Sequence, residues 1–174
     1  SYGNLGTLFQ ALSQYDKARE YQEKALPIKK RAGDRDGEAT IYRNLTCLFL
    51  SEGMYAKADK YLEKAMAVRK GVDDRRGEAA DYTNLGIICC SRGEYDKAQE
   101  YCEKALTSSM DIGDREKVVV CYNNLGFCYQ SLGKNDIAEG YLKQALLLSR
   151  DIGHNLNEFR CLCNLSVLMV SQGH

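Results

Sequence analysis

Tryptophan is absent from the 174-residue chain, proline occurs once, at Pro27, and histidine twice, at His154 and His174. A single proline leaves long helix-periodic stretches uninterrupted. Two histidines supply no nucleophile–base–orienter set, and the glycines form no GxxxxGK[ST] phosphate loop, so no catalytic or cofactor-binding residue is assigned. Charge of one sign is missing too: 24 Lys and Arg against 24 Asp and Glu give a net charge of zero. Neutralising a phosphate backbone needs a basic excess, so nucleic acid is excluded as the main ligand. No apolar run approaches the roughly 18 residues that span a bilayer, and no signal peptide opens the chain, so a membrane partner is not expected and the expected compartment is cytoplasmic.

Cysteine is plentiful, with eight residues: Cys47, Cys89, Cys90, Cys102, Cys121, Cys128, Cys161 and Cys163. None stands in a CxxC pair and neither histidine lies near them at zinc-ligand spacing, so no metal site is expected. All fall in apolar, helix-periodic segments and are read as small buried hydrophobes in a reducing compartment. Cys161 and Cys163 fall on different sides of one helix, which argues against a redox pair.

What fills the chain is a repeat of 40 residues without insertion. Asn4-Leu5 recurs as Asn44-Leu45, Asn84-Leu85, Asn124-Leu125 and Asn164-Leu165. Tyr2, Tyr42, Tyr82 and Tyr122 form a second column, and Tyr21, Tyr61, Tyr101 and Tyr141 a third. Ala18, Ala58, Ala98 and Ala138 form a fourth, and Ala25, Ala65, Ala105 and Ala145 a fifth. Such regularity means stacked copies of one supersecondary unit. Within a copy, Tyr82, Leu85 and Cys89 mark the apolar stripe of a first helix. Gly93 ends it, as Gly53, Gly133 and Gly173 do in register. A second helix is predicted from about Tyr95 to Ile112, with Asp34 and Asp114 capping the helices that follow Gly33 and Gly113. The two- to four-residue loops make consecutive helices antiparallel.

The expected architecture is all-α, an α-solenoid of nine helices in antiparallel pairs. It forms one array over 1–174, with units at 1–33, 34–73, 74–113, 114–153 and a half unit at 154–174. The last helix is apolar at Leu162, Leu165, Leu168, Met169 and Val170, where a terminal cap should be polar. The chain is therefore read as a segment of a longer protein. Pro27 is expected to kink the second helix by removing a bond to the Glu23 carbonyl. Val118 stands where other copies carry a glutamate, and the sequence leaves open whether it meets a partner or reflects drift.

The pattern Tyr82-x-x-Leu85-Gly86-x-x-Cys89, followed by Gly93, Ala98, Cys102 and Ala105, resembles the tetratricopeptide (TPR) repeat over essentially the whole chain. The 40-residue period departs from the usual 34, and a Gly-Asp-Arg turn replaces the usual closing proline. The run Asp74-Arg75-Arg76-Gly77-Glu78-Ala79 to Asn84-Leu85-Gly86 is similar to Pins/LGN-type polarity and spindle-orientation adaptors, and more distantly to kinesin light chains. The resemblance implies a protein-binding scaffold whose first helices line a concave face.

On that face the candidate peptide-binding residues are Asn44, Asn84, Asn124 and Asn164, flanked by Arg43, Thr83, Asn123, Cys47, Ile87 and Phe127. An asparagine amide offers both a donor and an acceptor, matching a peptide bond. With helix axes about 8–10 Å apart and an extended chain advancing about 3.3 Å per residue, one asparagine meets every third peptide residue. The same asparagines could instead bond a neighbouring helix. The row is more apolar than charged and lacks the lysine/arginine clamp of chaperone-tail binders. The expected ligand is an extended, partly apolar peptide or protein segment. The alternative is a structural spacer that self-associates weakly, as a homodimer, through the exposed terminal helix.

Overall fold

The computed structural model describes residues 1–70 and 74–171, so Gly173 and His174 lie outside the described residues. Among them there are nine α-helices and no strand: α1 (Tyr2–Ala11), α2 (Tyr15–Arg31), α3 (Arg35–Ser51), α4 (Tyr55–Arg69), α5 (Arg75–Ser91), α6 (Tyr95–Asp111), α7 (Arg115–Ser131), α8 (Asn135–Asp151) and α9 (Asn155–Ser171). The helices group into two compact units, 1–84 and 85–174, with the division inside α5.

Each described turn has a local cause. Gly33, Gly53, Gly93, Gly113, Gly133 and Gly153 all have φ between 66° and 74°, a left-handed conformation that costs other L-residues about 1–2 kcal/mol. In the first copy the same place is held by Ser13, at φ 57°. Helix starts repeat as well. The side chains of Asp34, Asp74 and Asp114 accept from the backbone N–H of Gly37, Gly77 and Lys117 at 2.8, 2.9 and 3.1 Å. At the fourth such place His154 takes over, its Nδ1 accepting from the Asn157 N–H at 3.2 Å. α2 runs on through the exposed Pro27 to Arg31.

In the first unit the core is built by Ile41, Tyr42, Leu45, Leu48 and Phe49 of α3 with Ala58, Leu62 and Ala65 of α4. Tyr61 lies 5.2 Å from Phe49 and 6.2 Å from Tyr42, ring to ring. The second unit repeats the scheme. Cys89, Ala98, Cys102, Leu125, Cys128, Tyr129, Ala138, Leu142 and Leu168 make one cluster, and Val119, Ala145 and Cys161 another. Tyr141 stacks on Tyr129 at 5.5 Å.

The small-residue columns are where helices come closest. A Cβ added to Gly126 would lie 2.6 Å from Leu142 Cγ and 3.4 Å from the Ala138 carbonyl; one added to Gly86 would lie 2.6 Å from Cys102 Sγ. Ala18, Ala58, Ala98 and Ala138 are wholly buried, because any larger side chain there would hold the paired helices apart.

Candidate functional site

The asparagine column does not behave as one row. Asn44, Asn124 and Asn164 are half-buried, whereas Asn84 is 7% exposed. Asn84 Nδ2 points at Cys47 Sγ, 3.9 Å away in the first unit. In the second unit Asn164 Nδ2 donates to Asn123 Oδ1 at 3.1 Å. Asn123 in turn donates to the Val119 carbonyl at 3.2 Å and to Cys161 Sγ at 3.0 Å. Asn123, only 2% exposed, joins α7 to α9 from within. Asn124 is different: its buried Nδ2 has no hydrogen-bond partner among the described residues, a costly state for a buried amide donor.

The flanking residues divide between the units. In the first, Arg43 and Cys47 are half-buried on α3 and Thr83 on α5, the Thr83 hydroxyl turned back to the Ala79 carbonyl at 2.9 Å. Burial pushes the Cys47 thiol above its ordinary range, so it serves as a packing group rather than a nucleophile. In the second, Ile87 of α5 is half-buried and Phe127 of α7 is 48% exposed, one helical turn from Asn124. Tyr95 meets the Phe127 ring edge-on at 6.4 Å. Val118 is buried at 6% exposure and belongs to the core, so it is no contact surface for a partner.

Seven cysteines are buried or half-buried, as small apolar packing residues should be, but Cys163 is exposed. It lies on the other side of α9 from the buried Cys161.

One charged constellation escapes the sequence pattern. Arg69, at the end of α4, is 7% exposed and Asp81, on α5, is 2% exposed. Arg69 Nε donates to Asp81 Oδ2 at 3.1 Å, and its Nη1 meets the capping carboxylate of Asp74. Burial raises the Asp81 pKa, against the opposing pull of the guanidinium. The repeat does carry a signal: the places equivalent to Arg69 hold Lys29, Ser109 and Ser149, and those equivalent to Asp81 hold Ile41, Cys121 and Cys161. With Ser1 at the head of the column, Asp81 is its one charged side chain.

Among the described residues no group of three or more metal-ligating side chains comes together, and no helix is long and apolar enough to cross a membrane. Within the first unit the first helices carry the Arg43 guanidinium and the Asn44 amide, and within the second the Asn124 amide, Ile87 and Phe127.

Comparison with known proteins agrees with this helical-pair architecture. The sequence matches the tetratricopeptide repeat family over residues 1–71 and 77–150. The chain is a member of the tetratricopeptide repeat family. No curated protein matches it. Among solved structures, this TPR chain is similar to BtubC (BKLC) from P. vanneervenii, at 27% identity and a TM-score of 0.74, over 88% of the TPR chain and 63% of the other. A Rap protein complexed with competence and sporulation factor is 16% identical with a TM-score of 0.89, over 99% and 48% of the two chains. A Podosopora anserina putative kinesin light chain with nearly identical TPR-like repeats is also 16% identical, with a TM-score of 0.74, over 99% and 85%. The TPR chain therefore spans less than two thirds of the BtubC and Rap chains. The fold is all-α, of the TPR α-solenoid class, as the repeat columns predict.

Proposed function

We propose that this TPR chain is a non-catalytic protein-interaction scaffold that holds an extended, partly apolar peptide segment on its first-helix faces. The observation that carries the reading is the pairing on α7 of Phe127, 48% exposed, with Asn124, whose buried amide nitrogen has no acceptor among the described residues. Turned toward solvent, the Asn124 amide would find a peptide carbonyl to satisfy that donor while an apolar side chain packs on Phe127 and Ile87, an anchor-plus-amide mode of recognition. Asn164 stands with Asn124 on this face, while Asn123 braces it from behind. In the first unit Asn44, Arg43, Thr83 and Cys47 provide the corresponding contacts, and Asn84 holds Cys47 in place. The Rap protein of similar fold was solved with competence and sporulation factor bound, which is compatible with the reading. The scaffold is taken to be part of a longer cytoplasmic protein of adaptor type, with the Gly-Asp-Arg runs favouring the Pins/LGN kind.

The test is selection of peptides from a random library, followed by fluorescence polarisation with variants. Asn124→Ala and Phe127→Ala should each weaken the selected peptide at least tenfold, equivalent to about 1.4 kcal/mol, with the melting temperature nearly unchanged. Unchanged affinity in both variants overturns the reading.

A second reading rests on α9, where Leu156, Phe159, Leu162, Met169 and Val170 are between 43% and 75% exposed. Here the array is a spacer that self-associates weakly through α9, forming a homodimer. Light scattering that shows concentration-dependent dimers abolished by Leu162→Lys, together with no selectable peptide, would favour it.

A further inference from the structure

Four sulfurs collect in the larger core of the second unit: Cys89, Cys102 and Cys128, which are buried, and Cys90, half-buried against them. Cys90 of α5 and Cys128 of α7 bring their Sγ atoms to 3.3 Å. A disulfide needs about 2.05 Å, so a side-chain shift of little more than 1 Å would close the gap. The 40-residue columns show how local this is. The two places hold Gln10 with Leu48, Leu50 with Ile88, and Gln130 with Leu168 in the other copies. Sulfur stands opposite sulfur in the Cys90–Cys128 pair alone. Cys90 also lies one helical turn beyond Ile87, beside the face proposed to take peptide.

We propose that Cys90 and Cys128 form an oxidation site, in which a peroxide-class oxidant joins them by a disulfide that ties α5 to α7. The half-buried Cys90 is the sulfur an oxidant can reach, and Cys128, with no exposed surface, is the resolving partner. The Cys90 thiolate attacks one peroxide oxygen and becomes a sulfenic acid, and the departing hydroxide takes up a proton as water. Cys128 then displaces the sulfenic hydroxyl, forming the S–S bond and releasing a second water. Two thiol hydrogens leave in the waters, and the peroxide gains the two electrons the sulfurs lose.

The surroundings make this a slow site. The Cys128 sulfur and burial push the Cys90 thiol up. Cys128 is pushed up to about 12 by the Cys102 sulfur and burial, against a smaller opposing effect of Cys90. The titratable side chains bearing on the pair are the thiols Cys102 on α6 and Cys89 on α5 and the Tyr129 phenol on α7. Since the thiolate is the reacting species, the rate should rise about tenfold per pH unit. Strong or sustained oxidant would close the bond at neutral pH. The cross-link itself stands on the sulfur geometry. Its consequence for binding rests on the peptide reading above: fixing α5 to α7 freezes the spacing between Ile87 and Phe127.

The experiment treats the folded chain with hydrogen peroxide, then alkylates, digests and identifies linked peptides by mass spectrometry. The expected result is a Cys90–Cys128 peptide that dithiothreitol removes, that Cys90→Ser and Cys128→Ser each abolish, and that forms about a hundredfold faster at pH 9 than at pH 7. The exposed Cys163 reports that oxidant has acted. Oxidised Cys163 with Cys90 and Cys128 both still alkylatable overturns the proposal, as does Cys128 linked to Cys102 instead. A selected peptide should lose affinity on cross-linking and regain it on reduction. Unchanged affinity overturns the regulatory consequence. Failure to select any peptide would sink the binding reading while the linked peptide still confirms the site.

Discussion

The place where α4 meets α5 and the places where α6 meets α7 and α8 meets α9 are the same junction, 40 residues apart, solved with different chemistry. At the first, a buried guanidinium and carboxylate face each other, Arg69 and Asp81. At the other two, a serine hydroxyl faces a thiol: Ser109 with Cys121 and Ser149 with Cys161, each at 4.0 Å. The Ser/Cys pairs cost little to bury. The ion pair must overcome the removal of two charges from water, and Arg69 Nη2 and Asp81 Oδ1 are buried without a hydrogen-bond partner among the described residues. One backbone geometry therefore accommodates both, and the α2–α3 junction adds a third solution, Lys29 opposite Ile41 with its ammonium on the capping Asp34 at 2.6 Å.

The sharpest way to break that comparison is Asp81→Ala, which leaves Arg69 with only the Asp74 contact among the described residues and should destabilise by about 3 kcal/mol or more in urea titration. Changing both sides at once, Arg69→Ser with Asp81→Cys, installs the pair used further along the chain and should recover most of that loss. If the double variant is as unstable as the single one, the junctions are not equivalent. Next in size is Ala98→Leu, which overfills the α5–α6 crossing in the second unit and should cost about 1–3 kcal/mol, read in the same titration with peptide affinity intact.

Acidity separates the junctions further. The folded Asp81 pKa lies above its ordinary value. Its contribution favours the folded state at pH below the ordinary carboxylate range and is withdrawn as pH rises through the folded pKa. The stability of the native chain minus that of Asp81→Asn should therefore fall as pH rises above the ordinary carboxylate range, while the difference for Cys121→Ser shows no such fall there. The smallest effect concerns turns: Ser13→Gly should add up to about 1 kcal/mol by relieving the left-handed serine, and Gly133→Ser should remove a similar amount.

Helix count, pairing and turns were legible because each rests on local chemistry repeated in register. Glycine at the helix ends, aspartate at the starts and alanine at the crossings need no knowledge of distant neighbours. The candidate site was less legible for the opposite reason. Asn123 and Asn124 are adjacent in sequence and equally polar, yet one is locked to Cys161 and Asn164 while the other keeps a spare donor. That difference depends on residues about 40 positions away, which periodicity does not weigh. Likewise, all eight cysteines fit the pattern of small apolar packing residues. It takes coordinates to see that Cys163 is outside and that Cys90 and Cys128 touch.

The Arg69–Asp81 pair joins the end of α4 to α5, with its two halves on either side of the boundary at which the copies would naturally be cut. Excising residues 74–113 would keep the period but seat Arg69 opposite Cys121, with Asp114 in the place of Asp74 as its remaining acid. Removing 82–121 instead would keep the period and leave the ion pair whole. Gain or loss of copies in this array should therefore be better tolerated in the second phase than in the first.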